Sequence, residues 1–162
     1  MKNLCIAVLT LCVIGTSAFA KDFNVPSKNP VVKITVPNTW SIDESEYGYN
    51  AKTKDEAVYF GIEYASGSRI EKMLDSNAAW MKDNKIIPKG KPAESDVKIA
   101  GQDAHVLHFE ATDPNGDTLV DFVLIPAGDK RLIMLTLWGS EEELKDNETD
   151  ITKIQASIRP VN

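Results

Sequence analysis

The sequence predicts an α+β domain: one antiparallel sheet with helices on both faces, an α/β/α sandwich. Three observations predict it. Extended, β-branched runs recur at hairpin spacing over residues 31–36, 57–64, 104–112, 118–125 and 131–138. Two of them, LVDFVLI and LIMLTLW, are apolar on both sides, the pattern of mid-sheet strands with both faces covered. Two stretches of helical spacing, opening at Ser68 and at Ser140, supply the cover.

Each element has its own signal. Residues 31–36 (VVKITV) read as a strand, the turn Pro37-Asn38-Thr39 follows, and Trp40-Ser41-Ile42 resumes extended chain. ESEYGYNAKTKDE reads as a hairpin leading into the strand AVYFGIEY. Ser68 with Glu71 three residues on forms a capping-box pattern. Ile70, Met73, Leu74, Ala78 and Met81 then fall on one helical face bordered by Trp80, and the helix is expected to fray near Asn84. Residues 86–92, with two prolines and a glycine, read as a connector. A short strand over 96–99, a turn at Gly101 and the three long strands follow. Ser140 and Glu143 make a second capping box, and Leu144, Ile151, Ile154 and Ile158 form the stripe of a final helix before Pro160.

The first twenty residues form a secretory leader. Lys2 precedes an apolar run over 4–14, and Ser17-Ala18-Phe19-Ala20 ends on small residues in Ala-x-Ala spacing, so cleavage is expected after Ala20. The run is about half the length a bilayer-spanning helix needs. Cys12 follows Leu11, where a lipoprotein site requires a small residue, which argues against lipid attachment. The expected destination is a periplasm or the medium. Of 162 residues, the mature 142 then divide into a flexible lead-in over 21–30 and a single domain over 31–162.

Composition excludes several classes of function. Both cysteines, Cys5 and Cys12, lie in the leader, so disulfides, a thiol nucleophile and cysteine metal sites are ruled out for the mature chain. The formal net charge of −6 becomes −7 once Lys2 is removed, which disfavours nucleic acid and anionic lipid as partners. No glycine-rich phosphate loop occurs, and no G-x-S-x-G surrounds Ser66 or Ser68. Asn147-Glu148-Thr149 fits the glycosylation pattern but lies within the expected last helix.

The residues with chemical potential are few. His105 and His108 are three apart on a strand, which turns them to opposite faces and disfavours a shared metal. Asp121 interrupts an apolar strand. A three-residue loop at DPNG, with Gly116 in the left-handed position, places it opposite Phe109; a loop one residue different places it opposite His108, with Glu110 on the same face. That second register would assemble a carboxylate–histidine cluster, the start of a hydrolase site lacking an evident nucleophile. A two-residue turn at Gly128-Asp129 would set Asp121 opposite Thr136. Asp113, Asn115, Asp117 and Asp121 mimic the opening of a calcium loop, but Gly116 stands at its fourth position and Leu124 where the bidentate glutamate belongs. No metal or cofactor is expected. Trp40, Tyr47 and Tyr49 gather aromatic mass near the amino-terminal hairpin and form the candidate partner-binding surface.

The order of elements, with a strand running into Pro37-Asn38-Thr39-Trp40, resembles the PsbP-like fold family. That family includes the photosystem extrinsic subunit and bacterial envelope proteins of the DcrB kind. The strand–turn–strand Val97-Lys98-Ile99-Ala100-Gly101-Gln102-Asp103-Ala104 and the closing helix over 154–158 belong to the same resemblance. It covers most of the chain from Val31 onward and rests on short structural motifs. It implies a non-enzymatic accessory or assembly role toward another envelope or secreted protein, without catalytic residues to carry over. Pro37, Trp40 and Gly101 transfer as fold residues alone. The alternatives are a small-ligand carrier with a pocket between sheet and helix, and a hydrolase using His108 with Asp121 or Glu110.

Overall fold

A computed structural model describes residues 20–161. The proposed leader, apart from Ala20, lies outside the described residues. Strands β1 (Ala20–Val25), β2 (Val32–Pro37) and β11 (Arg159–Pro160) form a small antiparallel sheet in the order β1-β2-β11. The main sheet runs β3 (Ser41–Glu44), β4 (Gly48–Lys52), β5 (Tyr59–Ser66), β10 (Arg131–Gly139), β9 (Gly116–Pro126), β8 (Gln102–Asp113) and β6 (Ile87–Pro88). Strand β7 (Ala93–Ile99) also pairs with β8, and every pairing is antiparallel. The two-sided apolar strands β9 and β10 are central, as their composition requires.

Each face has its own core. Helix α1 (Arg69–Asp83) covers one, with Met73 and Met81 packed on Ala65, Val120, Phe122 and Met134. On the other, Phe60, Ile62, Val123 and Leu135 meet Ile34 and Val36 of β2 together with Ile151 and Ile154 of α3 (Glu148–Ala156). Helices therefore lie on both faces, and the small sheet shares the second one with α3.

Residues 21–30 are not a flexible lead-in throughout. β1 pairs with β2 from Ala20 opposite Pro37 to Val25 opposite Val32, and Val25 is fully buried. Asp22 accepts hydrogen bonds from Thr35 Oγ1 at 2.6 Å and Arg159 Nη2 at 2.7 Å. These contacts hold the carboxyl of Asp22 below its usual pKa, the Thr35 hydroxyl contributing most and Arg159 next.

Three local expectations change. Ser68 does not cap α1: its backbone is already helical (φ −67°, ψ −11°), so its hydroxyl makes no capping bond. Gly67, at φ +58°, provides the sharp exit from β5 instead. The second capping box does form, with Ser140 Oγ accepting from Glu143 N at 3.3 Å and Glu143 Oε2 accepting from Ser140 N at 2.8 Å. The last helix is broken into α2 (Glu141–Asp146) and α3, because Asn147 turns its side-chain amide back to the Glu143 carbonyl at 2.9 Å. Finally, α1 is rotated from its expected face. Met73, Asn77 and Met81 are buried, while Leu74 and Ala78 face outward.

Candidate functional sites around helix α1

At 100° per residue, the rotation of α1 separates three stripes. Met73 and Met81 lie on the sheet, Ser76, Asn77 and Trp80 turn toward β4 and β5, and Leu74, Ala78 and Lys82 point away. The two outer stripes border different sites.

The first is a polar cavity of about 170 Å³ between α1 and strands β4–β5. Strand alternation places Tyr59, Gly61 and Glu63 on the α1 side of β5. Glu63 is only 9 % exposed. Its Oε2 accepts from Asn77 Nδ2 at 2.6 Å, and the same amide donates to the Met73 carbonyl at 3.0 Å. Asn77 Oδ1 accepts from Thr136 Oγ1 at 3.3 Å, which ties the helix to the central strand β10. Glu63 Oε1 has no hydrogen-bond partner among the described residues. Burial pushes the Glu63 carboxyl above its usual range, opposed by the Asn77 hydrogen bond.

Glycine makes the cavity possible. A Cβ on Gly61 would lie 3.2 Å from the Tyr59 hydroxyl, which leans over this position to donate to Asn50 Oδ1 at 2.7 Å. Trp80 stacks on the Tyr59 ring at 4.8 Å between centroids, and Trp138 meets Trp80 edge-on at 5.5 Å. Burial and the nearby Glu63 raise the Tyr59 pKa beyond the normal phenol range. At the rim, the Arg69 guanidinium sits 4.9 Å over the Tyr47 ring and 3.8 Å from Glu46.

The second site is an apolar groove of about 520 Å³ on the opposite flank, between the end of α1 and the sheet edge. Ala78, Met81, Ile86, Ile87 and Pro88 line it, with Lys82 and Lys85 on its sides. Ile87 is 65 % exposed and Leu74, next along the outer stripe, 40 %. Together with Val97 they are the exposed large hydrophobics among the described residues. Pro88 ends β6 at the open edge, where a missing N–H discourages a further strand from pairing.

The aromatic surface expected at Trp40, Tyr47 and Tyr49 does not form. Trp40 is buried in the core beneath the small sheet, following a turn in which its N–H bonds the Pro37 carbonyl at 3.0 Å. Tyr47 leaves the 45–48 turn into the opposite core, on the α1 side. Tyr49 is half-buried against Phe23 of β1, 5.3 Å between centroids. The aromatics are spent on packing, and β1 covers the one nearest the surface.

His108 and Asp121 do meet. A two-residue loop joins Asp113 to Gly116 and aligns His108 with Asp121 rather than Phe109. His108 Nδ1 donates to Asp121 Oδ1 at 2.6 Å. On the other side Asp121 lies opposite Leu137, so Thr136 is not its partner. His105 faces Asp96 at 3.0 Å and Glu94 at 3.4 Å on the neighbouring edge, which raises its pKa, the Asp96 hydrogen bond contributing most. A pocket of about 280 Å³ beside His108 is lined by Lys89, Gly90, Lys91, Ala93 and Glu110. No hydroxyl or thiol side chain stands among these residues. No group of three or more His, Cys, Asp or Glu side chains with metal-site geometry occurs among the described residues.

This arrangement is the PsbP-like α+β fold. The structure is similar to cyanobacterial PsbP (CyanoP) from Synechocystis sp. PCC 6803, with a TM-score of 0.56 and 10 % identity over 93 % of this chain and 97 % of that one. It is also similar to LpqN of Mycobacterium tuberculosis, described as involved in cell envelope biogenesis, with a TM-score of 0.54 and 13 % identity over 88 % and 92 % of the two chains. A Bacteroides thetaiotaomicron protein gives a TM-score of 0.55 and 12 % identity over 81 % of this chain and 45 % of its own. No protein-family model and no curated protein sequence matches the chain. No helix among the described residues is long and apolar enough to cross a membrane.

Proposed function

We propose that this chain is an exported, non-catalytic binding protein that serves as an accessory or assembly factor for another envelope protein. The observation that carries this reading is the apolar groove at the end of α1. An exposed isoleucine and a lysine-flanked apolar channel bordered by a helix and a blunted sheet edge are features of a protein-binding surface. In a chain of net charge −6 this is a locally basic island. The partner it fits is a protein segment that carries apolar side chains flanked by acids. The leader pattern over residues 1–20 supports export, and the fold shared with LpqN, described as involved in cell envelope biogenesis, supports an envelope setting.

The test is capture by cross-linking in envelope from the producing cells, then purification of the captured protein and measurement of its affinity. A purified partner should bind the wild-type protein and weaken about tenfold or more toward Leu74→Asp/Ile87→Asp and toward Lys82→Glu/Lys85→Glu. These positions are exposed, so the variants should keep the wild-type melting temperature. A partner that binds every variant equally, or the lack of any protein that binds once purified, overturns the reading.

A further inference from the structure

We propose that the cavity between α1 and strands β4–β5 binds a small organic cation, an alkylammonium or guanidinium group that donates to Glu63 Oε1 and lies against the rings of Trp80 and Tyr59. This site is independent of the groove, since Asn77 and Trp80 stand on the other flank of α1 from Ala78 and Lys82.

Four features select the ligand class. First, the cavity wall includes two carboxylates, Glu63 inside and Glu46 at the mouth; Arg69 is 3.8 Å from Glu46, and no cation of the chain forms a salt bridge with Glu63 among the described residues. An anion would meet repulsion there, whereas a cation would meet an acceptor with an open oxygen. Second, several of the neighbouring polar atoms are already committed, while the Ser76 hydroxyl and the Asn50 amide nitrogen are not among the described residues. Asn50 Oδ1 takes the Tyr59 hydroxyl, and Asn77 uses its oxygen for Thr136 and its amide for Glu63 and the Met73 carbonyl. Glu63 Oε1 is thus the oxygen of this carboxylate left to a ligand.

Third, the walls are aromatic. Trp80 and Tyr59 line the cavity as a stacked pair in which each ring covers one face of the other. Aromatic surface of this kind attracts alkylated and planar cations at about 0.5–2 kcal/mol where a face is left open, and gives a bare hydrated ion no matching apolar contact. Fourth, a cation of the chain itself already lies at the rim, where Arg69 rests on Tyr47 beside Glu46. The volume, about 170 Å³, holds about five or six groups of roughly 30 Å³ each, the size of a short alkylamine or of the end of an Arg or Lys side chain. Burial raises the Glu63 pKa, so a cation at this carboxylate and a proton on it would compete.

The test uses the purified protein at constant ionic strength, with propylammonium and methylguanidinium as probes and their neutral isosteres 1-propanol and methylurea as controls. Binding is followed by tryptophan fluorescence and by the indole N–H resonance of Trp80. The cations should shift both signals saturably and the neutral isosteres should not. Glu63→Gln should weaken the cations about tenfold or more while its melting temperature stays at or above that of the wild type. Gly-Lys-Gly and Gly-Arg-Gly distinguish the sources: peptides that bind as well as the free amines place the cation on a partner chain, and binding of free amines alone places it on a small molecule. Equal response to cation and isostere, unchanged affinity in the folded Glu63→Gln variant, or no saturable shift overturns the proposal.

Discussion

The side-chain amide of Asn77 donates to Glu63 Oε2 across 2.6 Å and joins α1 to β5 inside the α1-side core. A buried carboxyl in this position resists ionisation. Its folded pKa stands above the unfolded one, so the folded state holds more protons than the unfolded state between the two values. The contribution of Glu63 to stability is therefore most favourable below the ordinary glutamate range and declines as pH rises from that range through the raised folded value. Glu63→Gln keeps an acceptor for Asn77 and removes the charge. It should raise stability at pH 7 on the order of 1 kcal/mol, and the gain should vanish in acid. Thermal melts of both proteins across pH check this; a gain independent of pH would contradict it.

Asn77→Ala should do the reverse. It strips the carboxyl of its donor and frees the Thr136 hydroxyl, both within the core. The expected cost is about 2 kcal/mol by denaturant unfolding. In a Glu63→Gln background the cost should fall, because the group left unpartnered is then neutral. The double-mutant cycle reads that coupling directly.

The two serines before helices separate a real cap from a sequence resemblance to one. Ser140→Ala removes an acceptor that Glu143 N uses and should cost about 1 kcal/mol. Ser68→Ala removes no capping bond, and the stability should stay within about 0.5 kcal/mol of wild type. Equal costs at both positions would show that Ser68 caps α1 in solution.

What could be read in the sequence depended on how local its cause was. β9 and β10 were legible because apolar residues on both sides have one solution, the middle of a covered sheet. The Ser140 cap was legible because donor and acceptor lie three residues apart. β1 was not, since KDFNV is short and its anchor Arg159 lies 137 residues away. The face of α1 was misplaced for a related reason. Hydropathy favours Leu74 and Ala78 over Asn77, and only Glu63 and Thr136 across the interface reverse that order. Asp121 stood out as an acid in an apolar strand, and its meeting with His108 was one of two registers the turn allowed. Glu63 interrupts YFGIEY in the same manner, so the signal for the cavity was present without the helix that gives it meaning.

Val25 offers a direct test of that hidden strand. Its side chain is fully buried among the residues beneath the small sheet, at the end of β1. Val25→Ala deletes two methyl groups from a packed site and should cost roughly 2 kcal/mol, transfer and cavity terms together. Substitution in a flexible lead-in would leave the denaturation midpoint unchanged. A shift at Val25 with none at exposed Lys28 would mark where the domain begins to bear on stability.

Two glycines, Gly61 within β5 and Gly67 just after it, should respond to alanine for different reasons. Gly67 has φ +58° and open space around its Cβ position, so Gly67→Ala costs backbone strain alone, about 1 kcal/mol. Gly61 has no such backbone constraint. Its added methyl would stand 3.2 Å from the Tyr59 hydroxyl and 3.4 Å from Thr136 Cβ, which presses Tyr59 away from Asn50. That crowding should also cost about 1 kcal/mol. The melting temperatures of the two variants then fall together, and near-ultraviolet circular dichroism tells them apart. Gly61→Ala should alter the aromatic signal of the stacked Tyr59–Trp80 pair, and Gly67→Ala should leave it intact. An unchanged aromatic spectrum in Gly61→Ala would mean that the cavity wall yields without moving Tyr59, and that the glycine is not what holds the cavity open.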